Sequence, residues 1–253
     1  MQTNEILDRS EWFLAPGVHI LVTDSMAIFI DITKDFCYGA ASDQARALSK
    51  VVKGWPNMDG ADSVSLKDSF DVAHALAAQG ILTRDPAVGK IASIPTLNYA
   101  DAALVYRHER QMPDIRFNHL YRFVYALSSA TLLLKCRSLN YALAYIKRRR
   151  TLHSHEEFDI DHARNIVRLF YWIRPFFYAK QFEYSRNATR KLGRCLFDSL
   201  VLLEFLSWYR LYPSWVIGVI PNPFKAHSWV QYDHFVLNGT PNYVESYEPI
   251  IVV

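Results

Sequence analysis

The chain has 253 residues, 51% of them hydrophobic and 14% aromatic, which is enough for one large domain or two ordinary domains with a sizeable core. Its formal net charge of +3 is too small to predict nucleic-acid or membrane binding. Its three cysteines, Cys37, Cys136 and Cys195, include no Cys-x-x-Cys pair. This sparse, odd count excludes a zinc ribbon and a disulfide framework.

The N-terminal stretch "MQTNEILDRSEWFLAPG" is polar and acidic and has no apolar central region, so we predict no signal peptide. The longest apolar runs are interrupted well before the length of a membrane span. These features predict a cytoplasmic protein that works in a reducing compartment, away from membranes.

Three short strands and then helices are predicted in residues 1–87. "VHILVTD", "MAIFIDI" and "DFCYGA" are strand-like and are separated by turn residues. Ser42 or Asp43 is predicted to cap a helix that ends near Gly54, and residues 65–79 predict a second helix. Such a unit is winged-helix-like, and the free edge of its sheet can pair with an extended peptide.

A linker and helical region is predicted over residues 88–155. Three prolines and little periodicity indicate a loop over 86–115, and an apolar helical face begins near Arg116. The run "KRRR" (147–150) is a possible nucleic-acid patch, but we interpret it as cations at a helix C-terminus, where they favour the helix dipole.

The segment "HSHEEFDIDH" (153–162) is rich in potential metal ligands. Its spacing matches no established ligand pattern, whereas acidic residues are favourable before a helix. We therefore predict no metal site, and a helix over 159–174 that ends at Pro175.

Cys195 begins an amphipathic helix, "CLFDSLVLLEFL", and Gly193 before it permits a close approach into that helix. A thiol in a first helical turn meets unpaired N–H groups and the positive end of the dipole, which favour the thiolate. Buried, unreactive cysteines are also common, so both interpretations stay open from this stretch alone.

Three strands are predicted after this helix: "SWVIGVI", "HSWVQYD" and residues 235–238. His227 lies at the entrance of the second strand, 32 residues after Cys195. A helix that begins with cysteine and packs on such a sheet can bring the thiol to the imidazole, which then takes its proton.

The stretch "CLFDSLVLLEFL…GVIPNPFKAHSWVQ…VLNGTP", with the terminal "PIIVV", resembles the B protein of lasso-peptide biosynthesis. This family consists of leader peptidases with a transglutaminase-like, papain-like cysteine-protease fold. The N-terminal "FLAPGVHILVTDSMAIFIDI…ASDQARALSKVVKGWP" resembles the leader-recognition domain that is fused ahead of many members. The resemblance implies an α+β fold, with a recognition domain at 1–87 and a protease domain at 156–253.

The resemblance implies that Cys195 is the nucleophile and that His227 is the general base. It also implies two partners, the leader segment of a precursor peptide and an asparagine-synthetase-like cyclase that uses ATP. The sequence has no Walker A glycine loop, so we predict no cofactor of its own, and ATP enters only through the cyclase.

The third catalytic group departs from the family pattern, because Gly239 stands where the family has an aspartate. Asn238 is the preferred substitute, through a register shift or a bulge, and Asp233 is the alternative. A dyad of Cys195 and His227 alone is also open. The backbone N–H of Cys195 is the natural oxyanion donor, and side-chain help from Asn187 or Arg190 is a further candidate.

We therefore predict a cytoplasmic cysteine peptidase that removes the leader from a lasso-peptide precursor. The leader would add to the third strand beside a groove from the second helix, with six predicted contact residues: Asp35, Phe36, Cys37, Tyr38, Phe70 and His74. A catalytically weakened adaptor that delivers the precursor to the cyclase is the alternative. A transcription factor is disfavoured, because "SLKDSFDVAHALAAQG" carries one lysine against two aspartates.

Overall fold

The computed structural model describes residues 11–105, 112–178 and 191–253. The chain divides into two compact units, Met1–Ile94 and Pro95–Val253. The first unit extends seven residues beyond the boundary predicted at 87, because its last segment pairs with earlier backbone. Lys90 exchanges hydrogen bonds with Leu14, at 2.8 and 2.9 Å between N and O.

The first unit contains the predicted three-stranded antiparallel sheet, which confirms this part of the mixed α+β prediction. The sheet has the order β2-β3-β4, so β4 is an edge strand. Two further short strands, β1 and β5, pair with each other. The bounds are β1 Phe13–Leu14, β2 Val18–Val22, β3 Met26–Asp31, β4 Phe36–Ala41 and β5 Leu82–Thr83.

Two α-helices cover the first unit, α1 at Ser42–Leu48 and α2 at Leu66–Ala78, with a 3-10 turn at Ala61–Ser63. Ser65 caps α2, and its Oγ accepts the N–H of Asp68 at 3.1 Å. The prediction that α1 continues to Gly54 is wrong. Its backbone leaves the helix because Val51 O and Lys53 N–H pair with Trp12 instead, at 2.9 and 2.8 Å.

Among the described residues of the second unit, four helices are long and one is short. The buried ring of Phe123 contacts Phe170 and Phe205, and these contacts join three of the helices. The bounds are α3 Phe117–Cys136, α4 Leu139–Leu152, α5 Ile160–Tyr178, α6 Lys191–Ser207 and α7 Pro241–Val244.

The prediction that Pro175 ends its helix is wrong, because α5 continues through the proline to Tyr178. Tyr178 is buried and packs against Phe123 and Phe197. This packing compensates for the backbone hydrogen bond that proline cannot donate.

A five-stranded sheet completes the second unit, in the order β10-β7-β8-β9-β6. The pairs are antiparallel except β6 with β9, which is parallel. The bounds are β6 Ala102–Ala103, β7 Ser214–Ile220, β8 Lys225–Tyr232, β9 Phe235–Val236 and β10 Glu248–Val252.

Two features of this sheet differ from the sequence prediction. β6 lies in the segment that was predicted as loop, and β9 ends at Val236 rather than Asn238. β9 is short because the Asn238 side chain, rather than a continuing strand, accepts the N–H of Val230 at 2.7 Å. In the described ranges, no helix combines the length and apolar character that crossing a membrane requires.

Candidate functional site

Cys195 lies near the start of α6, as the fifth described residue of that helix, and its thiol is half-buried. Gly193 does not provide the close approach that was predicted, since a Cβ at this position would meet no described atom within 4 Å. Asn187 and Arg190 lie outside the described residues.

On its side away from β7, the backbone of β8 forms hydrogen bonds with two segments. The residues after β9 bond to Val230, and α6 bonds to Ser228. At Val230, the carbonyl accepts the N–H of Leu237, and the N–H donates to Asn238. At Ser228, the carbonyl accepts the hydroxyl of Ser199 on α6 at 3.1 Å.

The Ser228 N–H also reaches α6, since it hydrogen-bonds to the sulfur of Cys195. The sulfur therefore contacts the residue that directly follows His227. This contact brings the two predicted catalytic residues into one neighbourhood.

Three aromatic rings surround the imidazole of His227. Trp229 is stacked with it at 6.1 Å between centroids, Tyr243 meets it edge-on at 4.9 Å, and Tyr247 lies 5.3 Å away. Burial among these rings lowers the pKa of His227 to about 4. The imidazole is therefore neutral at pH 7.

Burial also acts on the thiol and raises the pKa of Cys195 above its ordinary value. Backbone N–H groups of Ser228, Leu196 and Cys195 itself oppose this shift, and the nearby charge of Asp198 adds to it. The expectation that the helix start favours a resting thiolate is therefore wrong, because desolvation outweighs the backbone donors. The resting pair is a neutral thiol and a neutral imidazole.

The Asn238 side chain does not take the role predicted for it, which was to orient the imidazole of His227. Its Nδ2 donates to Ser199 Oγ at 2.9 Å, and its Oδ1 accepts from Val230. Among the described residues, neither atom of this amide hydrogen-bonds to His227. No register shift turns Asn238 towards the imidazole, because its amide completes the contact between α6 and β8.

Asp233 does not orient His227 either. It lies in the turn between β8 and β9 with φ of 51°, and its carboxylate pairs with His234 at 2.8 Å and with Asn98 at 2.6 Å. These hydrogen bonds lower the pKa of Asp233, so it remains a carboxylate that serves the turn.

Gly239, where the resemblance implied an aspartate in other members, lies next to two valines of the sheet core. A Cβ built here would lie 3.3 Å from Val236 and 3.8 Å from Val244. Both valines pack with Trp229 and Tyr247, which contact His227. A side chain at Gly239 would therefore contact residues that pack with the rings around His227.

Two residues that the sequence analysis did not select belong to this neighbourhood. Burial, the hydrogen bond to Tyr243 and the charges of Tyr243 and Cys195 raise the pKa of Tyr247 to about 12. Asp198 lies three residues after Cys195 and 3.6 Å from Arg174, and burial raises its pKa. Asp198 could have been selected from the sequence, because it is an acidic residue about one helical turn after Cys195. No sequence signal indicated Tyr247.

The predicted leader-binding residues all belong to the first unit. Phe36 is half exposed on the edge strand β4, Cys37 on the same strand is exposed, and Tyr38 and Phe70 pack against the core. The sixth predicted contact residue, His74, is engaged elsewhere: its ring lies edge-on to Trp12 at 5.1 Å and meets the guanidinium of Arg84 at 3.2 Å. Asp35 occupies the turn before β4 with φ of 52°.

Metal binding has no support in this arrangement of side chains. Within residues 11–105, 112–178 and 191–253, no three His, Cys, Asp or Glu side chains are grouped so that they could hold an ion. In the histidine-rich segment, His153 instead pairs with Glu156 at 2.9 Å and stacks on Tyr212 at 4.3 Å.

Comparison with protein families matches residues 124–252 to the transglutaminase-like superfamily. The match covers half of the chain and includes α6, β7 and β8, together with Cys195 and His227. It is consistent with a fold of the cysteine-protease type, because this superfamily typically includes cysteine peptidases and transglutaminases. No curated protein and no solved structure matches the chain.

Proposed function

Because the chain belongs to the transglutaminase-like superfamily, we propose that it is a cysteine peptidase with Cys195 as nucleophile and His227 as general base. Its proposed substrate is the precursor of a lasso peptide, from which it removes the leader in the cytoplasm. The observation that carries this proposal is the hydrogen bond from Ser228 N–H to the Cys195 sulfur. Ser228 directly follows His227 in the chain, so this bond brings the sulfur close to the histidine.

The reaction starts from the neutral pair. As the sulfur attacks the scissile carbonyl carbon, the thiol proton passes to the imidazole of His227, and a tetrahedral oxyanion forms. The oxyanion collapses, the C–N bond breaks, and imidazolium gives its proton to the leaving amine. Water then attacks the thioester, with the imidazole again taking the proton, and releases the new carboxyl end and the thiol.

A neutral starting state is compatible with an imidazole that, among the described residues, no carboxylate orients. The three rings around His227 fix its position by packing, and no charged orienting partner is required to keep it neutral. The cost is a less stabilised imidazolium, because an orienting acid normally stabilises the charge that forms there. We therefore propose a slow dyad peptidase rather than a full triad.

Leader recognition is proposed for the first unit. The edge strand β4 offers an extended peptide a backbone that pairs with no further described strand, and the half-exposed Phe36 offers an apolar contact. The proposed partner for the next step is an asparagine-synthetase-like cyclase, which would supply the ATP-dependent chemistry.

The decisive experiment substitutes Cys195→Ala and follows a precursor peptide by mass spectrometry in the presence of the cyclase. We expect leader removal to stop while precursor binding is retained. Cys136→Ala is the matched control, since Cys136 is an exposed thiol at the end of α3. Undiminished cleavage by the Cys195 variant would end the assignment.

A precursor-binding adaptor without activity is the second candidate. It is favoured by one observation, the engagement of Asn238 with Ser199 and Val230, which leaves His227 without an orienting hydrogen bond among the described residues. Iodoacetamide labelling separates the candidates. For the peptidase, labelling of Cys195 is slowed by His227→Ala, whereas that of Cys37 is unchanged. An adaptor shows a Cys195 rate that the substitution does not change.

A further inference from the structure

A cavity of about 420 Å³ lies at the far end of α6 from the thiol. The helix separates Cys195 from Ser207 by twelve residues, or about 18 Å along its axis. Arg210, which follows the helix, lines the cavity together with Lys147 and Arg150 of α4. The cavity is thus distinct from the proposed peptidase site, and its volume falls within the range of small-molecule sites.

The cavity is cationic. Lys147, Arg150 and Arg210 line it, and Glu156 is the one side-chain carboxylate among the lining residues. Glu156 is already paired with His153 at 2.9 Å. No carboxylate of the described residues lies within salt-bridge distance of the three cations.

The neighbouring Arg149 shows what a structural arginine does in the same helix. Its guanidinium pairs with the buried Glu204 at 2.9 Å. The four residues of the "KRRR" run therefore have three different environments. Arg149 holds α4 to α6, Arg148 is exposed, and Lys147 and Arg150 line the cavity. The interpretation that these cations only favour the helix dipole does not account for the two lining residues.

The end of α6 positions the third cation. Arg210 has φ of 58°, a left-handed conformation that favours glycine. The Leu211 N–H returns to Leu206 O at 3.2 Å, the Schellman pattern that ends a helix with a left-handed residue at the position of Arg210. Where glycine is usual, this chain has an arginine that lines the cavity.

Aromatic pairs line the rest of the cavity. Phe158 and Tyr232 stack at 3.6 Å between centroids, and His153 and Tyr212 stack at 4.3 Å. These rings give the cavity firm walls, and Val252 adds an apolar surface. A site of this composition has room for an organic group beside the charged part of a ligand.

We propose that this cavity binds a small molecule that carries a phosphate group. Two guanidinium groups and an ammonium group supply bidentate and point-charge contacts to phosphate oxygens. The three side-chain cations outnumber the single side-chain carboxylate, which is already paired with His153. This arrangement favours an anion, and the two guanidinium groups favour the geometry of a phosphate monoester or a diphosphate.

The test is calorimetric titration of the whole chain with inorganic pyrophosphate at constant ionic strength. We expect saturable binding, and a dissociation constant raised about tenfold or more by Arg150→Gln, because a charge-assisted contact is lost. Arg148→Gln is the matched control, since Arg148 is exposed on the same helix and does not line the cavity. It should leave the affinity essentially unchanged.

A second variant tests the strained arginine. Arg210→Gly should weaken pyrophosphate binding to a similar extent and raise the melting temperature of the free protein by about 2–4 °C, since the strain is removed. Absence of saturable binding overturns the proposal, as does equal weakening by Arg148→Gln. Succinate that binds as tightly as pyrophosphate would overturn the phosphate assignment.

Discussion

At the scale of single residues, the site depends on two groups that are both uncharged at neutral pH, the imidazole of His227 and the thiol of Cys195. Burial lowers the pKa of His227 to about 4 and raises the pKa of the Cys195 thiol. Their sequence context selects both residues as candidates. Their charge states could not be predicted, because desolvation depends on Trp229, Tyr243 and Tyr247, which come from β8, α7 and the segment after α7.

The low pKa of His227 sets the acid limit of activity. The base must be neutral, so we predict that kcat/KM falls below pH 5 with an apparent pKa near 4, rather than near the ordinary value of 6.5. The measurement is a pH profile of precursor cleavage under subsaturating conditions. An acid limb near pH 6.5 would show that the imidazole is not desolvated.

The same shift has a consequence for stability. Between pH 4 and 6.5 the unfolded chain binds a proton at His227 that the folded chain does not. His227 therefore makes the fold less stable as the pH falls through this range. His227→Phe should reduce the loss of stability between pH 6.5 and 4, as measured by urea unfolding at each pH.

At the scale of elements, a buried ion pair joins α4 to α6. Glu204 is 2% exposed, and its carboxylate accepts from Arg149 and from Ser129 of α3, both at 2.9 Å. Burial raises the pKa of Glu204, and the charge of Arg149 opposes this shift. Three helices thus depend on one buried carboxylate of α6.

Removal of Arg149 leaves the buried carboxylate of Glu204 without its ion-pair partner. We predict that Arg149→Ala lowers the free energy of unfolding by about 3–5 kcal/mol. The control is Arg116→Ala, which breaks the exposed pair with Asp114 and should cost less than about 1 kcal/mol. Denaturant titrations of both variants provide the comparison, and equal losses would contradict the prediction.

The sequence predicts these elements well where local pattern and tertiary packing agree. β7 has the predicted bounds, and Ser65 caps α2 as a helix-start residue should. The errors occur where distant backbone takes part, as at Val51, which pairs with Trp12, and at Asn238, which bonds to Val230 and Ser199. No local pattern contains these partners.

At the scale of the whole molecule, two compact units carry separate proposed tasks. The first unit offers the edge strand β4 for the leader, and the second contains the thiol and the imidazole. Recognition and chemistry should therefore respond to different substitutions.

We predict that Phe36→Asp weakens binding of a labelled leader peptide about tenfold or more while leaving the alkylation rate of Cys195 unchanged. Phe36 is 50% exposed, so its replacement should cost little stability. Val88→Asp, at a 53% exposed position of the same unit outside β4, is the control and should bind the leader normally. Fluorescence anisotropy measures the affinity, and equal losses in both variants would argue against the strand edge.

The brevity of β9 has a consequence for the sulfur. β9 ends at Val236, so the N–H of Ser228 has no strand carbonyl opposite it and finds the sulfur of Cys195 instead. The sulfur takes the acceptor position that a carbonyl oxygen of a longer β9 would occupy. The spacing between neighbouring strands of the sheet therefore sets the position of the sulfur. An insertion that lengthened β9 by two or three residues would compete for the same amide proton and displace the thiol without altering any side chain around it.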